Sequence, residues 1–192
     1  MTVLSASLNG CPLDSSSTEM KAMIAYMKWL GTGIDKGVTP NGAGLQKLPY
    51  LDRAASPEKG ALVYTCKCQS CHGPEGEGVP GPDKTGYTYP PLWGKNSYND
   101  GAGLYRISGF ASYVKNNMPL GATHDNPMLT DEEAWDVAAY VNSKPRPHKD
   151  QKQDYPDISK KPIDFPLGPY SDRFSPRQHK YGPFQAIAAA AK

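Results

Sequence analysis

No run of apolar residues in this 192-residue chain approaches the ~20 needed to cross a bilayer as a helix. A mean hydropathy of −0.61 points the same way, so a membrane span is excluded. Neither sign of charge is in excess: Lys+Arg 21 stand against Asp+Glu 19, which leaves no basic footprint for nucleic acid. Cysteine is scarce. Cys11, Cys66, Cys68 and Cys71 are all there is, with a single Cys-x-x-Cys where a zinc ribbon would need two. Met1-Thr2-Val3-Leu4 lacks the basic and apolar regions of a secretory signal. Proline and glycine, nineteen of each, exceed ordinary usage. They concentrate in 31–60, 73–94 and 144–183, which predicts a compact helical unit wrapped by irregular chain.

The one Cys-x-x-Cys is Cys68-Gln69-Ser70-Cys71-His72, the attachment pattern of a c-type haem. Two residues between the cysteines let both thiols reach the two vinyl groups on one edge of the porphyrin. The next residue then lies under the iron, where the His72 imidazole supplies one axial ligand. Covalent haem attachment takes place on the far side of the cytoplasmic membrane. The expected location is therefore periplasmic or otherwise exported, and the absent leader suggests a truncated product or a miscalled start.

The flanks read as helices. Ser56-Pro57-Glu58 opens one: Ser as N-cap, Pro at the first position where its missing N–H costs nothing, Glu in the positive first turn. Gly60 and Tyr64, one turn apart, share a face that a second helix can approach closely. Residues 130–143, with Trp135, Ala138 and Tyr140, are the natural partner, opened by a Thr130/Glu133 capping box. A twin of that helix covers 16–30. It has a Ser16/Glu19 box, the same Ala-Tyr pair at 25–26 as at 139–140, and an apolar stripe of Met20, Met23, Ile24, Met27 and Leu30 expected to pack in a core. Shorter helical pieces are expected at about 101–107 and 109–116.

Between them the breakers dominate. Gly73-Pro74-Glu75-Gly76-Glu77-Gly78 and Tyr87-Thr88-Tyr89-Pro90-Pro91-Leu92-Trp93-Gly94 predict a loop without strand or helix. Pro91, Leu92 and Trp93 would cover the haem edge and exclude water. Lys115-Asn116-Asn117-Met118-Pro119-Leu120-Gly121 offers Met118 as the second axial ligand, in a loop stiffened by Pro119. A thioether beside imidazole favours ferrous iron and raises the potential. Met128 and His124 are rivals in the same loop. Cys66 is expected to serve helix packing, and His148 and His179 to be solvated. The tail from 144 either wraps the domain on Ile163, Phe165, Leu167, Tyr170 and Phe174 or stays disordered, with Ala186 to Ala190 a frayed helical turn.

The expected fold class is all-α, a monohaem class I cytochrome c-like domain with long irregular loops and an extended Pro-rich C-terminal tail. The expected division is 1–33, the terminal helix of a preceding, absent cytochrome c-like domain; 34–55, a linker; 56–146, the cytochrome c domain; and 147–192, the tail.

The pieces Leu62-Val63-Tyr64, Cys68-x-x-Cys71-His72-Gly73, Gly76-x-Gly78, Pro90-Pro91-Leu92-Trp93-Gly94, Gly101-Ala102-Gly103, Asn117-Met118-Pro119-Leu120-Gly121 and Glu133-Ala134-Trp135-Asp136-Val137 resemble the C-terminal haem domain of the dihaem thiosulfate dehydrogenase/tetrathionate reductase family. The resemblance spans about 9–147, with Asn9-Gly10 and Glu19-Met20 similar to the close of that family's first domain. It implies one haem c in this chain, held by Cys68 and Cys71, with iron ligated by His72 and Met118, acting as the electron-accepting half. The partner is then a redox protein or an adjacent haem domain. In the family, thiosulfate chemistry belongs to the first haem, whose attachment motif and cysteine ligand are missing here; Cys11 falls after that ligand position. Two other readings are a haem enzyme or sensor with an open sixth position for a small molecule, and a thiol or metal module built on Cys66, Cys68, Cys71 and His72.

Overall fold

A computed structural model describes residues 12–40, 43–83, 86–123 and 125–190. Cys11 and His124 lie outside the described residues, as do Asn9 and Gly10. The architecture is all-α, with the helices α1 Thr18–Leu30, α2 Pro57–Lys67, α3 Gln69–His72, α4 Ile107–Asn117, α5 Asp131–Ser143, α6 Pro176–Tyr181 and α7 Gln185–Ala190. Two short strands, β1 Val79–Pro80 and β2 Tyr87–Tyr89, pair antiparallel. This small hairpin corrects the expectation of a loop without strand: Val79 and the tyrosines are β-formers, and the breakers between them make the turn.

The core is the crossing of α2 and α5. Each is capped as its sequence predicts: the Ser56 hydroxyl accepts from the Lys59 N–H (3.2 Å), and Thr130 and Glu133 form a reciprocal box. Gly60 is buried where the helices meet. A Cβ there would stand 1.9 Å from the Asp136 carbonyl oxygen and 2.8 Å from the Tyr140 Cβ, so only glycine allows this approach. Asp136, buried in α5, accepts a bidentate pair from Arg53 (2.8 Å to each oxygen) and the Ser56 N–H (2.8 Å). The same carboxylate thus fixes α5 to the chain that enters α2.

Tyr140 and Trp93 pack on Tyr64, with ring centroids 5.4 and 5.0 Å away. Trp135 does not join them. Its Nε1 donates to the Pro49 carbonyl (3.0 Å), and its ring meets Tyr50 and Phe184 on the other side of α5. The segment expected to be linker is thus bound to the core from Leu48 onward, with Leu51 packed and Ala55 buried.

The tail wraps the domain. Phe165, Phe184 and Ile187 are buried, and Ile163 and Phe174 are partly so. The Ala55 N–H donates to the Tyr181 carbonyl (2.8 Å), and Gln185 Nε2 donates to the Leu51 carbonyl (2.7 Å). His179, expected in solvent, is 2% exposed. Its ring lies between the Ile163 carbonyl at Nδ1 (2.7 Å) and Asp172 at Nε2 (3.0 Å), stacked on Tyr170. Solvation was the wrong expectation because its acceptors come from tail positions with no periodic relation to it. His148 is exposed, as expected, and touches Asp100 (2.6 Å).

α1 differs from the expectation at its cap. Its cap is Ser17, which accepts from the Met20 N–H (3.2 Å), not Ser16, whose hydroxyl turns to Asp14. It also buries no residue, so its methionine stripe does not pack in this domain.

Candidate functional site

The site lies at the end of α2. That helix stops at Cys68, whose N–H closes the last turn on the Tyr64 carbonyl (2.9 Å). The chain then makes the single turn α3, which carries Cys71 and His72. Cys68 and Cys71 are half-buried and unbridged. Burial pushes the Cys68 thiol up to about 11, so in the haem-free chain it is a neutral thiol rather than a thiolate. Cys66 is exposed on α2. Its exposure means that it does not serve helix packing.

His72 is held at two points. The Gly78 N–H donates to its backbone carbonyl (2.9 Å), folding the 73–78 loop back onto it. Its ring Nδ1 lies 2.9 Å from the Pro90 carbonyl oxygen. A carbonyl only accepts, so Nδ1 carries the proton and Nε2 keeps its lone pair for a metal. Tyr64 supports the same turn from beneath, donating from its buried hydroxyl to the Gly73 carbonyl (2.6 Å); burial raises the pKa of that phenol.

The segment after β2 follows. The Leu92 N–H donates to the Gly76 carbonyl (2.8 Å), and Trp93 closes over Gly76. Gly76 has φ 61°, and a Cβ there would fall 2.4 Å from the Trp93 ring, so the residue is doubly required to be glycine. Pro91 and Trp93 are buried and Leu92 is half-buried. Arg146 places Nη1 near the Leu92 carbonyl (3.5 Å), donates from Nη2 to the Val141 carbonyl (2.8 Å), and lies against the Tyr98 and Tyr105 rings. Its Nε is the one buried side-chain nitrogen or oxygen without a hydrogen-bond partner among the described residues.

Met118 follows α4, its N–H closing the last helical turn on the Val114 carbonyl (2.9 Å). Its side chain is partly buried against the same core cluster that includes Cys68 and Leu92. Met128 is instead 45% exposed, its Cε 3.5 Å from where a Gly121 Cβ would stand. Lys115 closes the loop between them: its Nζ donates to the Leu129 carbonyl (2.6 Å) and pairs with Asp131 (2.9 Å).

These residues fit a covalent haem. Two half-buried thiols without a disulfide, an imidazole with its second nitrogen available and a partly buried thioether are the groups that such a haem needs. They do not fit a thiol–metal module, since no three His, Cys, Asp or Glu side chains converge to hold an ion among the described residues. No described helix is long and apolar enough to cross a membrane. Sequence reasoning missed three contributors: the Pro90 carbonyl, Tyr64 as a support for the motif turn, and Arg146. Only Tyr64 left a signal, as an aromatic one turn before Cys68.

The class follows from the fold and this donor set together. The cytochrome c family model matches residues 57–145, and this segment is a c-type cytochrome domain with covalent haem c. The relatives narrow it further. A thiosulfate dehydrogenase from Psychrobacter arcticus is 42% identical over 153 residues, which are 78% of this chain and 45% of that protein. One from Allochromatium vinosum is 42% identical over 141 residues, 73% of this chain and 50% of that one. The solved thiosulfate dehydrogenase (TsdBA) from Marichromatium purpuratum superposes with a TM-score of 0.70 at 35% identity, covering 82% of this chain and 34% of that one. The chain is similar to the thiosulfate dehydrogenase family over most of its own length, and it spans about half the length of the curated relatives it matches.

Proposed function

We propose that the 56–146 domain is an electron relay with His72 and Met118 as the axial pair, the electron-accepting half of an exported dihaem thiosulfate dehydrogenase-like protein. The haem iron supplies a one-electron ferric/ferrous couple when bound. The protein's part is to hold both ligands so that neither leaves, and to exclude water with Pro91, Leu92 and Trp93. The observation that carries the reading is the His72 ring: the Pro90 carbonyl holds Nδ1–H and so directs Nε2 outward as a ligand. The burial of Met118 against the core, beside the exposure of Met128, favours Met118 as the sixth ligand.

The same reading assigns α1 to the end of a preceding cytochrome c-like domain, joined by a linker, with an adjacent haem domain or another redox protein as the electron partner. Thiosulfate chemistry would then belong to that other haem, in keeping with the names of the relatives. The test is spectroscopic. The ferric holoprotein should show the weak far-red charge-transfer band of methionine-ligated haem, and Met118→Ala should abolish it. Survival of the band in that variant, or rapid carbon monoxide binding by the unaltered ferrous protein, would overturn the assignment.

A further inference from the structure

α4, the helix that ends on Met118, has no cap of its own. Its N-cap is Arg106, and no side chain there bonds the free N–H groups of the first turn. The cap comes from the tail. Asp164 is 1% exposed, and its Oδ2 accepts from the Ser108 backbone N–H (3.2 Å), at the second helical position where an N-cap oxygen ordinarily bonds. The Ser108 hydroxyl donates to the same oxygen. Oδ1 accepts from Arg106 Nε (2.9 Å) and Nη2 (2.5 Å), so the carboxylate also grips the residue in the N-cap position.

Asp164 is itself fixed. Phe165 is buried beside it, and the carbonyl of Ile163 on its other side bonds the buried His179 ring. The helix between Asp164 and Met118 is about 16 Å of continuous α-structure, and its last turn closes through the Met118 N–H. Movement at the capped end is therefore carried to the methionine.

We propose that Asp164 is a positioning residue for the sixth ligand: the tail caps α4 in trans and thereby keeps Met118 in place. This rests on Met118 ligation as argued above. Exogenous imidazole binds ferric haem only in the fraction of molecules whose methionine is off, so its apparent affinity reports that fraction. In the full-length holoprotein, Asp164→Ala should raise the apparent imidazole affinity by at least about tenfold. Ser108→Ala, which keeps the Arg106 pair, should give a smaller rise and serves where Asp164→Ala yields no holoprotein. Gln185→Ala removes the tail's bond to the Leu51 carbonyl, makes no contact with the Asp164 cap, and should leave the affinity unchanged.

A lowered melting temperature in Asp164→Ala and Ser108→Ala with unchanged imidazole affinity would overturn the proposal and leave a merely structural strap. An equal rise in Gln185→Ala would overturn it as well. Failure of the underlying reading looks different: Met118→Ala would then bind imidazole no more tightly than the unaltered protein.

Discussion

α1 and α5 each run for 13 residues, each starts on a hydroxyl cap and each carries an Ala-Tyr pair, yet eight residues of α5 are buried and none of α1. The difference lies outside both helices. α5 meets Gly60, which permits backbone contact, and Arg53, which satisfies its buried Asp136. α1 leaves Met23, Met27, Trp29 and Leu30 at half exposure or more, with Trp29 stacked on Tyr26 of its own helix. An amphipathic period therefore specifies that a face needs covering, and the partner's shape decides whether it is covered here.

The sharpest way to break this contrast is Gly60→Ala. The added methyl meets the Asp136 carbonyl, which cannot yield without parting the helices, and should cost about 3 kcal/mol in a urea unfolding titration. Asp136→Ala comes next. It strips Arg53 and the Ser56 N–H of their shared acceptor and should cost about 2 kcal/mol, held down because Arg53 keeps some solvent.

The two cysteines at the end of α2 repeat the contrast between buried and exposed in the haem-free chain. Cys68 has its pKa raised to about 11 by burial, so the folded state holds that proton where the unfolded chain loses it. The resulting contribution is complete below the ordinary thiol range and is lost as pH rises to about 11. Urea titrations of haem-free protein should show this alkaline decline, and Cys68→Ala should flatten it.

Thr130→Ala should cost about 1 kcal/mol, as expected for a capping residue of a core helix. The matching Ser17→Ala should leave the unfolding midpoint of the domain where it was, because α1 lies outside its core. Met27→Ala should likewise change domain stability by no more than about 0.5 kcal/mol; a larger loss would mean that α1 packs on the domain after all.

Local chemistry was legible in advance. The haem motif and the Ser56 and Thr130 caps all follow from neighbours within a few positions. The α2–α5 crossing followed from two matching helix faces. What could not be read depends on atoms far apart in the chain. The Pro90 carbonyl that orients His72 is a backbone group with no side-chain signature. Asp164 meets α4 across a tail with no period to register it. His179 looked like any polar residue in a proline-rich stretch until the Ile163 carbonyl and Tyr170 folded around it. The Met20–Leu30 stripe shows the limit from the other side: its period announces an apolar face but names no partner for it.

The hydrogen bond from Trp135 to the Pro49 carbonyl has a consequence for reach. With Leu48 also packed, the chain is anchored to the core there, and only residues 31–47 separate that point from α1. Fully extended, a chain of that length spans at most about 60 Å. Whatever covers the apolar face of α1 therefore lies within that reach of the core.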